Sequence, residues 1–496
     1  MPNRSLPMRK SFGKKWWWLV SLLAAGNIWV GWVLPAAAWG PHPEITQAAL
    51  DVLPEMDKWK QMLGEHNIHM LTQYCWMPDH RGRDLGPFYA DDYLLIRKMP
   101  YHIGHTMPTV QLAFEPYFRR ALQAFRTETP TNACRQLGPI LHFVEDVGAP
   151  PHAKPNCPHH GELENWVNPK AIKIEGYRPQ LLGKTDDEAW QGLKRRIDGL
   201  VAFSAERADR ALPLVAAPKP DRSKVEPIIL ESALETARVT ADMLYTLFKL
   251  GLEWQAPADA AGLQGLISAP PLPANEDQEA QVVLADTDYS TLAETLPETD
   301  KQQWKGRFSF RNLPPGEYTV VVYRVGSQPA SAKVKLQPGK TAQVEISLQS
   351  AEPAGNLVYN PDGRLKLLPG PTPDRWTHQG NTYTSAPITL KRRMTYLCGA
   401  IRKDPQAKIF FHMPGVPRGG QPTPPPIRKE LPPDGNPLEL ASDPDHMTII
   451  VQVQSQKPLP EAIEKVWVCA VPGKAASEKT KSETTKKPVK QPVLQK

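Results

Sequence analysis

A chain of 496 residues is long enough for about three domains. Its 41% hydrophobic and 22% charged content belongs to globular protein and excludes a fibrous or wholly disordered chain, while 54 prolines point to linkers and β-rich modules rather than one large helical fold. The net charge of +7 sits at the ends: residues 1–15 carry five positive charges and residues 474–496 a net five more, which leaves the body near −3 with no sign of a basic face for nucleic acid.

At the N-terminus, Arg4, Arg9, Lys10, Lys14 and Lys15 precede the uncharged stretch WWWLVSLLAAGNIWVGWVLPAAA, which ends in small residues at Ala36 and Ala38. This is the order of a secretory signal over residues 1–38, so the protein is expected to be secreted or periplasmic. The apolar run is also long enough to stay as an uncleaved membrane anchor. Cleavage after Ala38 would make Trp39 the first residue, its α-amine and carbonyl free to act as a bidentate ligand with His42 close behind in WGPHPEITQAAL. The competing reading makes Trp39 an interfacial aromatic beside an anchor and His42 merely the opening of a helix.

Residues 43–64, 108–127, 185–210 and 225–254 repeat apolar positions at intervals of three and four, the period of core-facing helices. Between them lies HFVEDVGAPPHAKPNCPHHGELE, from His142 to Glu164. His142 and Asp146 are four apart in a helical stretch and so project from one face about one turn apart. Gly148, Pro150 and Pro151 end that helix and deliver His152 from the turn beyond it. His160 and Glu164 repeat the interval at the start of a second helical stretch, ELENWVNPKAI. One His-x3-Asp pair is common on helix surfaces; two such pairs with another histidine between them are metal-ligand chemistry, because neutral imidazole and carboxylate are what divalent zinc accepts.

Taken with the early Trp39 and His42, these motifs resemble the zinc-dependent phospholipase C family, whose all-helical fold is shared with single-strand-specific zinc nucleases. The resemblance covers residues 39–256. It implies three zinc ions held by Trp39, His42, Asp79, His102, His142, Asp146, His152, His160 and Glu164. By it, Asp79, His102, His142 and Asp146 would hold one ion and His152, His160 and Glu164 a second; the Trp39 amine and carbonyl, His42 and a bridging Asp146 would hold the third. Asp79 would also serve as the catalytic base. Two positions stay open: Asp91 and Asp92 compete with Asp79, and His105 competes with His102 in MPYHIGH. The Trp39 to His42 gap is shorter than the family pattern. His80 and His159 read as solvent-facing or as partners of the ligands.

After Trp254 a Pro/Ala-rich linker opens residues 257–352, where GRFSFRNLPPGEYTVVVYRVG alternates with period two around a Pro-Pro-Gly turn. With AKVKLQPGKTAQVEISL it resembles a prealbumin-like or carboxypeptidase-regulatory-like β-sandwich. Residues 353–473, from NLVYNPDGRLKLLPGPTPDRW through several apolar strands, resemble a galactose-binding-like jelly roll, in which Trp376 and Tyr383 either stack on carbohydrate or pack internally. Cys398 and Cys469 lie in strands of that region and could pair; Cys75, Cys134 and Cys157 leave an odd thiol, with Cys157 open to zinc or to a bond with Cys75 or Cys134. Residues 474–496 read as a Lys-rich disordered tail.

The expected architecture is therefore an all-α catalytic domain followed by two β-sandwich domains. The expected function is phosphodiester hydrolysis of a phospholipid headgroup, with possible contact at the membrane surface. A zinc nuclease of the same fold and a non-catalytic surface- or carbohydrate-binding protein are the alternatives. Glu164, where the nucleases place Asp, and the missing basic face favour phospholipid over nucleic acid.

Overall fold

The computed structural model describes residues 39–76, 78, 105–271, 280–285, 287–297, 303–324, 326–358, 360–364, 373, 376–385, 387–390, 393–415 and 424–475. The signal-like segment, the Lys-rich tail, Asp79, His80, Asp91, Asp92 and His102 lie outside them. The described N-terminal part is helical and the C-terminal part is built of β-sheets. No helix among the described residues is long and apolar enough to cross a membrane.

Among the described residues the helices are α1 His42–Asp51, α2 Met56–Leu63, α3 Glu65–Tyr74, α4 Gln111–Thr127, α5 Pro130–Gly148, α6 Pro150–Ala153, α7 His160–Asn165, α8 Asp186–Val215 and α9 Arg222–Leu252, with a 3-10 turn at Pro169–Ala171. The helix expected over 43–64 is broken after Asp51. Pro54 lacks an amide proton and disfavours helical backbone at the residue before it, and Glu55 then turns left-handed at φ 59°. The long helix α8 starts at Thr185, whose side chain accepts from the Glu188 amide, and Asp186, Asp187 and Glu188 fill its first turn, where the helix dipole favours negative charge.

The central helix is α5. Thr129 caps it by accepting from the Asn132 amide, and Pro130 occupies its first turn, where no amide partner is missed. Almost all of its residues are buried, because neighbours pack on every side. Two glycines permit this. A Cβ at Gly138 would stand 2.4 Å from the Tyr74 carbonyl oxygen, and one at Gly148 would stand 1.9 Å from Thr236 Oγ1 on α9. The helical core includes Trp59, Phe118, Phe125, Phe143 and Phe248, and it also takes in Leu292 from the β region.

The first β unit has strands β1 Ala261–Ala269, β2 Gln281–Leu284, β3 Ser290–Leu292, β4 Glu294–Thr295, β5 Trp304–Leu313, β6 Gly316–Tyr323, β7 Ala330–Leu336 and β8 Thr341–Ser347. They form two sheets, in the orders β4-β5-β1-β8 and β3-β2-β6-β7, whose facing residues Leu263, Ile267, Phe308, Phe310, Val320 and Val322 share one core. The strand β5 alternates buried and open as expected, but β6 does not: its last four residues are all buried. Val321 and Tyr323 on the far face of β6, with Val283 of β2, belong to the core of the next unit. A sheet covered on both faces loses its polar alternation.

That next unit has strands β9 Trp376–Gln379, β10 Thr382–Ser385, β11 Ile388–Thr389, β12 Met394–Arg402, β13 Lys408–Met413, β14 Ile427–Glu430, β15 Leu438–Ala441, β16 Thr448–Gln454 and β17 Ile463–Ala475, with a short helix α10 at Leu459–Ala462. One sheet runs β14-β13-β16-β10-β9, with β11 beside β16; the other runs β15-β12-β17. Two readings left open by the sequence are decided here. Trp376 and Tyr383 are buried, with the Trp376 indole donating to the Asn360 carbonyl oxygen at 2.9 Å and Tyr383 stacked on His378 at 4.1 Å, so these rings pack internally and offer no sugar platform. All five cysteines are free thiols. Cys398 pairs in register with Val468 and Leu397 with Cys469, so the two cysteines are one residue out of step and point to opposite faces of the ladder.

Candidate metal centre

Asp146 of α5 meets side chains from α1, from α6 and from His105, and α7 joins them through His152. The helix α5 supplies His142 and Asp146 one turn apart, and α6 supplies His152 just past the break at Ala149. From α1, His42 is the first residue, and from α7 come His160 and Glu164 at its two ends. The Asp146 carboxylate is fully buried. Its Oδ1 faces His42 Nε2 at 3.5 Å and His152 Nδ1 at 3.2 Å; its Oδ2 faces His142 Nε2 at 3.0 Å and His105 Nδ1 at 2.9 Å. Glu164 Oε1 lies 2.7 Å from His152 Nε2 and 2.9 Å from His160 Nε2. The result is two ligand groups, His42 with His142 and Asp146, and His152 with His160 and Glu164, each with donor atoms within 4.8 Å of one another.

The tautomers follow from the acceptors on the outer side. His142 Nδ1 lies 2.8 Å from the Cys75 carbonyl oxygen and His152 Nδ1 3.1 Å from that of His105, and a carbonyl can only accept. His42 Nδ1 lies 2.8 Å from Glu145 Oε2. Each imidazole therefore donates from Nδ1 and turns Nε2 inward, the arrangement that fixes histidines as metal ligands.

Electrostatics bind the cluster tightly. Burial raises the Asp146 carboxyl, but the imidazoles of His142, His152 and His105 outweigh it and hold the group well below the usual carboxylate range. Burial likewise lowers His42, yet the adjoining carboxylates of Asp146 and Glu145 push it up to about 10. His152 is raised well above the usual imidazole value, burial again being outweighed by Asp146 and Glu164. Burial pushes Glu145 up against the pull of His42.

A divalent metal fits these residues. His42 Nε2, both oxygens of Asp146 and Glu164 Oε2 are buried without a hydrogen-bond partner. Such atoms are costly unless something else engages them. Nitrogen and oxygen donors about 2.1 Å from one tetrahedral zinc stand roughly 3.4 Å apart. The 3.5 Å between His42 Nε2 and Asp146 Oδ1 matches that edge.

Of the residues singled out from sequence, His42, His142, Asp146, His152, His160 and Glu164 come together. Trp39 is buried in the helical core, its ring edge-on to His42 at 6.3 Å, which removes the reading of an interfacial aromatic. His105, ranked behind His102, stands against both Asp146 and His142. His159 is half exposed, with left-handed backbone at φ 55° where α7 begins. Sequence reasoning missed Glu145 and Thr46. The available signal was an acid beside Asp146 in the otherwise apolar run ILHFVEDV.

Comparison with known proteins adds the following. A family model described as the carboxypeptidase regulatory-like domain matches residues 278–349, the stretch whose Pro-Pro-Gly hairpin carried that resemblance. Among solved structures, the alpha-toxin of Clostridium perfringens from avian strain SWCP is similar at 13% identity and a TM-score of 0.32, over 60% of this chain and 95% of that one. The alpha toxin of Clostridium absonum is similar at 13% identity and a TM-score of 0.32, over 60% of this chain and 96% of that one. No curated protein matches the chain.

Proposed function

We propose that this chain is an exported zinc-dependent phosphodiesterase whose helical part hydrolyses the headgroup ester of a phospholipid, as the phospholipases C that its sequence resembles do. The observation that carries the reading is Asp146, a buried carboxylate with neither oxygen hydrogen-bonded, standing between two groups of ligand-type side chains. Zinc bound there would polarise a phosphoryl oxygen and lower the pKa of an attacking water, which is the chemistry that phosphodiester cleavage requires. The residues that would hold it are His42, His142 and Asp146 in one group and His152, His160 and Glu164 in the other. Trp39, Asp79 and His102 complete the three-ion set that the resemblance implies, with Asp79 as the base. The His160 side chain, 29% exposed beside the buried Glu164, marks the side from which substrate would arrive.

Phospholipid is preferred to nucleic acid for two reasons. Glu164 takes the position where the nucleases carry Asp, and the body of the chain, near −3 once its basic ends are set aside, offers little for a polyanion to gain. Residues 353–473 are assigned as a jelly-roll accessory module. With Trp376 and Tyr383 buried, any membrane or glycan contact belongs to its other surfaces.

The test is hydrolysis of phosphatidylcholine, other phospholipids in mixed micelles and single-stranded DNA by one zinc-loaded preparation of the mature chain, with metal content measured on the same sample. Release of phosphorylated headgroup with slow DNA cleavage is expected. Rapid DNA degradation without headgroup release would install the nuclease reading instead.

A further inference from the structure

The three buried histidines of the centre share one orientation but not one kind of partner. His142 and His152 donate from Nδ1 to neutral backbone carbonyls, of Cys75 and His105. His42 donates to a carboxylate outside the two ligand groups, Glu145, while His152 Nδ1 also lies 3.2 Å from Asp146 Oδ1. We propose that Glu145 is a charged positioning residue, which locks His42 with Nε2 facing Asp146 and strengthens it as a donor, so that the ion His42 would share with Asp146 depends on Glu145 while the ion at His152, His160 and Glu164 does not. The proposal rests on the metal-centre reading above.

Consecutive residues of α5 point about 100° apart, so Asp146 faces the centre while Glu145 faces α1. There His42 and Thr46, four apart, lie on one helix face. Both oxygens of Glu145 are committed: Oε2 to His42 Nδ1 at 2.8 Å, and Oε1 as acceptor from Thr46 Oγ1 at 2.5 Å. It is therefore a partner of a ligand and not a ligand. No Lys or Arg pairs with Glu145 among the described residues, and its side chain is fully buried. A carboxylate in that position is costly unless it serves the imidazole, since a residue needed only for packing would be apolar. Charge-assisted hydrogen bonds are roughly twice as strong as neutral ones. Removing the outer partner of a metal-bound histidine typically weakens metal affinity about 10–100-fold. The two groups also differ in access: His42, His142 and Asp146 are all buried, whereas the His160 side chain is 29% exposed.

The test is competition for Zn²⁺ against a chromophoric chelator, with the visible Co²⁺ spectrum as a second readout, on the mature full-length chain and its E145A, E145Q and H160A variants. E145A should weaken the binding of one ion about 100-fold and E145Q, which keeps an acceptor but not the charge, about 10-fold, with the remaining zinc affinity unmoved. H160A should weaken a different ion and leave the one that E145A weakens unmoved. Unchanged affinity in E145A, or equal affinity in E145Q and the unmodified chain, overturns the role of Glu145 and leaves the metal centre standing. If E145A does not fold, E145Q decides alone. An unmodified chain that takes up no metal overturns the metal reading and this role together.

Discussion

Asp146 is the residue on which the centre turns, since each of its oxygens faces two imidazoles. Asp146→Ala should leave at most one bound zinc per chain by elemental analysis, and phosphodiester hydrolysis should fall roughly 100-fold or more. His142→Ala should cost the ion that His142 shares with Asp146 while sparing the group around Glu164. Away from the centre, Tyr177 donates to both oxygens of Asp242, at 2.9 and 3.0 Å. Burial, and next the Asp242 charge, push the Tyr177 phenol up to about 12. A raised pKa means that the folded state favours the protonated phenol. The stability it contributes is thus complete below the unfolded value near 10 and is lost as pH rises towards 12. Tyr177→Phe should cost about 1 kcal/mol at neutral pH and flatten that alkaline decline, as urea unfolding across the pH range would show.

At the scale of elements, α5 carries two ligands and abuts the rest of the site, so its placement sets the geometry. Gly148 lets it approach α9, and Gly148→Ala would drive a methyl into Thr236. Relief by backbone shift should cost about 1–3 kcal/mol and move Asp146 relative to His152, lowering both the thermal midpoint and zinc retention. A change confined to stability, with zinc retention intact, would show that α6 moves with α5. The sequence exposed much of this element: the four-residue spacing and the Gly-Ala-Pro-Pro stop read directly as a helix and its end. It hid Glu145, because periodicity says that a position is on a face but not which neighbour lies there. Likewise the all-buried end of β6 could not be read from alternation, since the second covering layer comes from residues far along the chain.

Across the whole molecule, the helical and β regions are joined by buried polar contacts. Arg120 donates to the Ser290 carbonyl oxygen at 2.9 Å, and Asn132 donates at 2.9 Å to Thr291 Oγ1 and to the Leu292 carbonyl oxygen. The Leu292 side chain completes the helical core. Leu292→Ala in the full chain should therefore cost about 2–4 kcal/mol. A fragment of residues 39–256 contains every proposed ligand and should still bind zinc and cleave substrate, but with a lower thermal midpoint than the full chain. Activity that returns only when residues 262–472 are present would place part of the active site in the β region. For export, N-terminal sequencing of the secreted protein should find Trp39; a different start would remove the Trp39 amine from the ligand set.

By itself the sequence determined the kinds of side chain in the candidate centre and their local spacing, because four residues on a helix are one turn whatever surrounds them. It also determined where helical periodicity gives way to strands, since the residue pattern changes at the Pro-rich stretch after Trp254. Only the tertiary structure decided which side chains share one buried volume. His42 meets Glu145 across 103 residues of chain, and His142 and His152 owe their tautomers to the carbonyls of Cys75 and His105. Every residue carries such a carbonyl, so only packing selects the two that face a histidine.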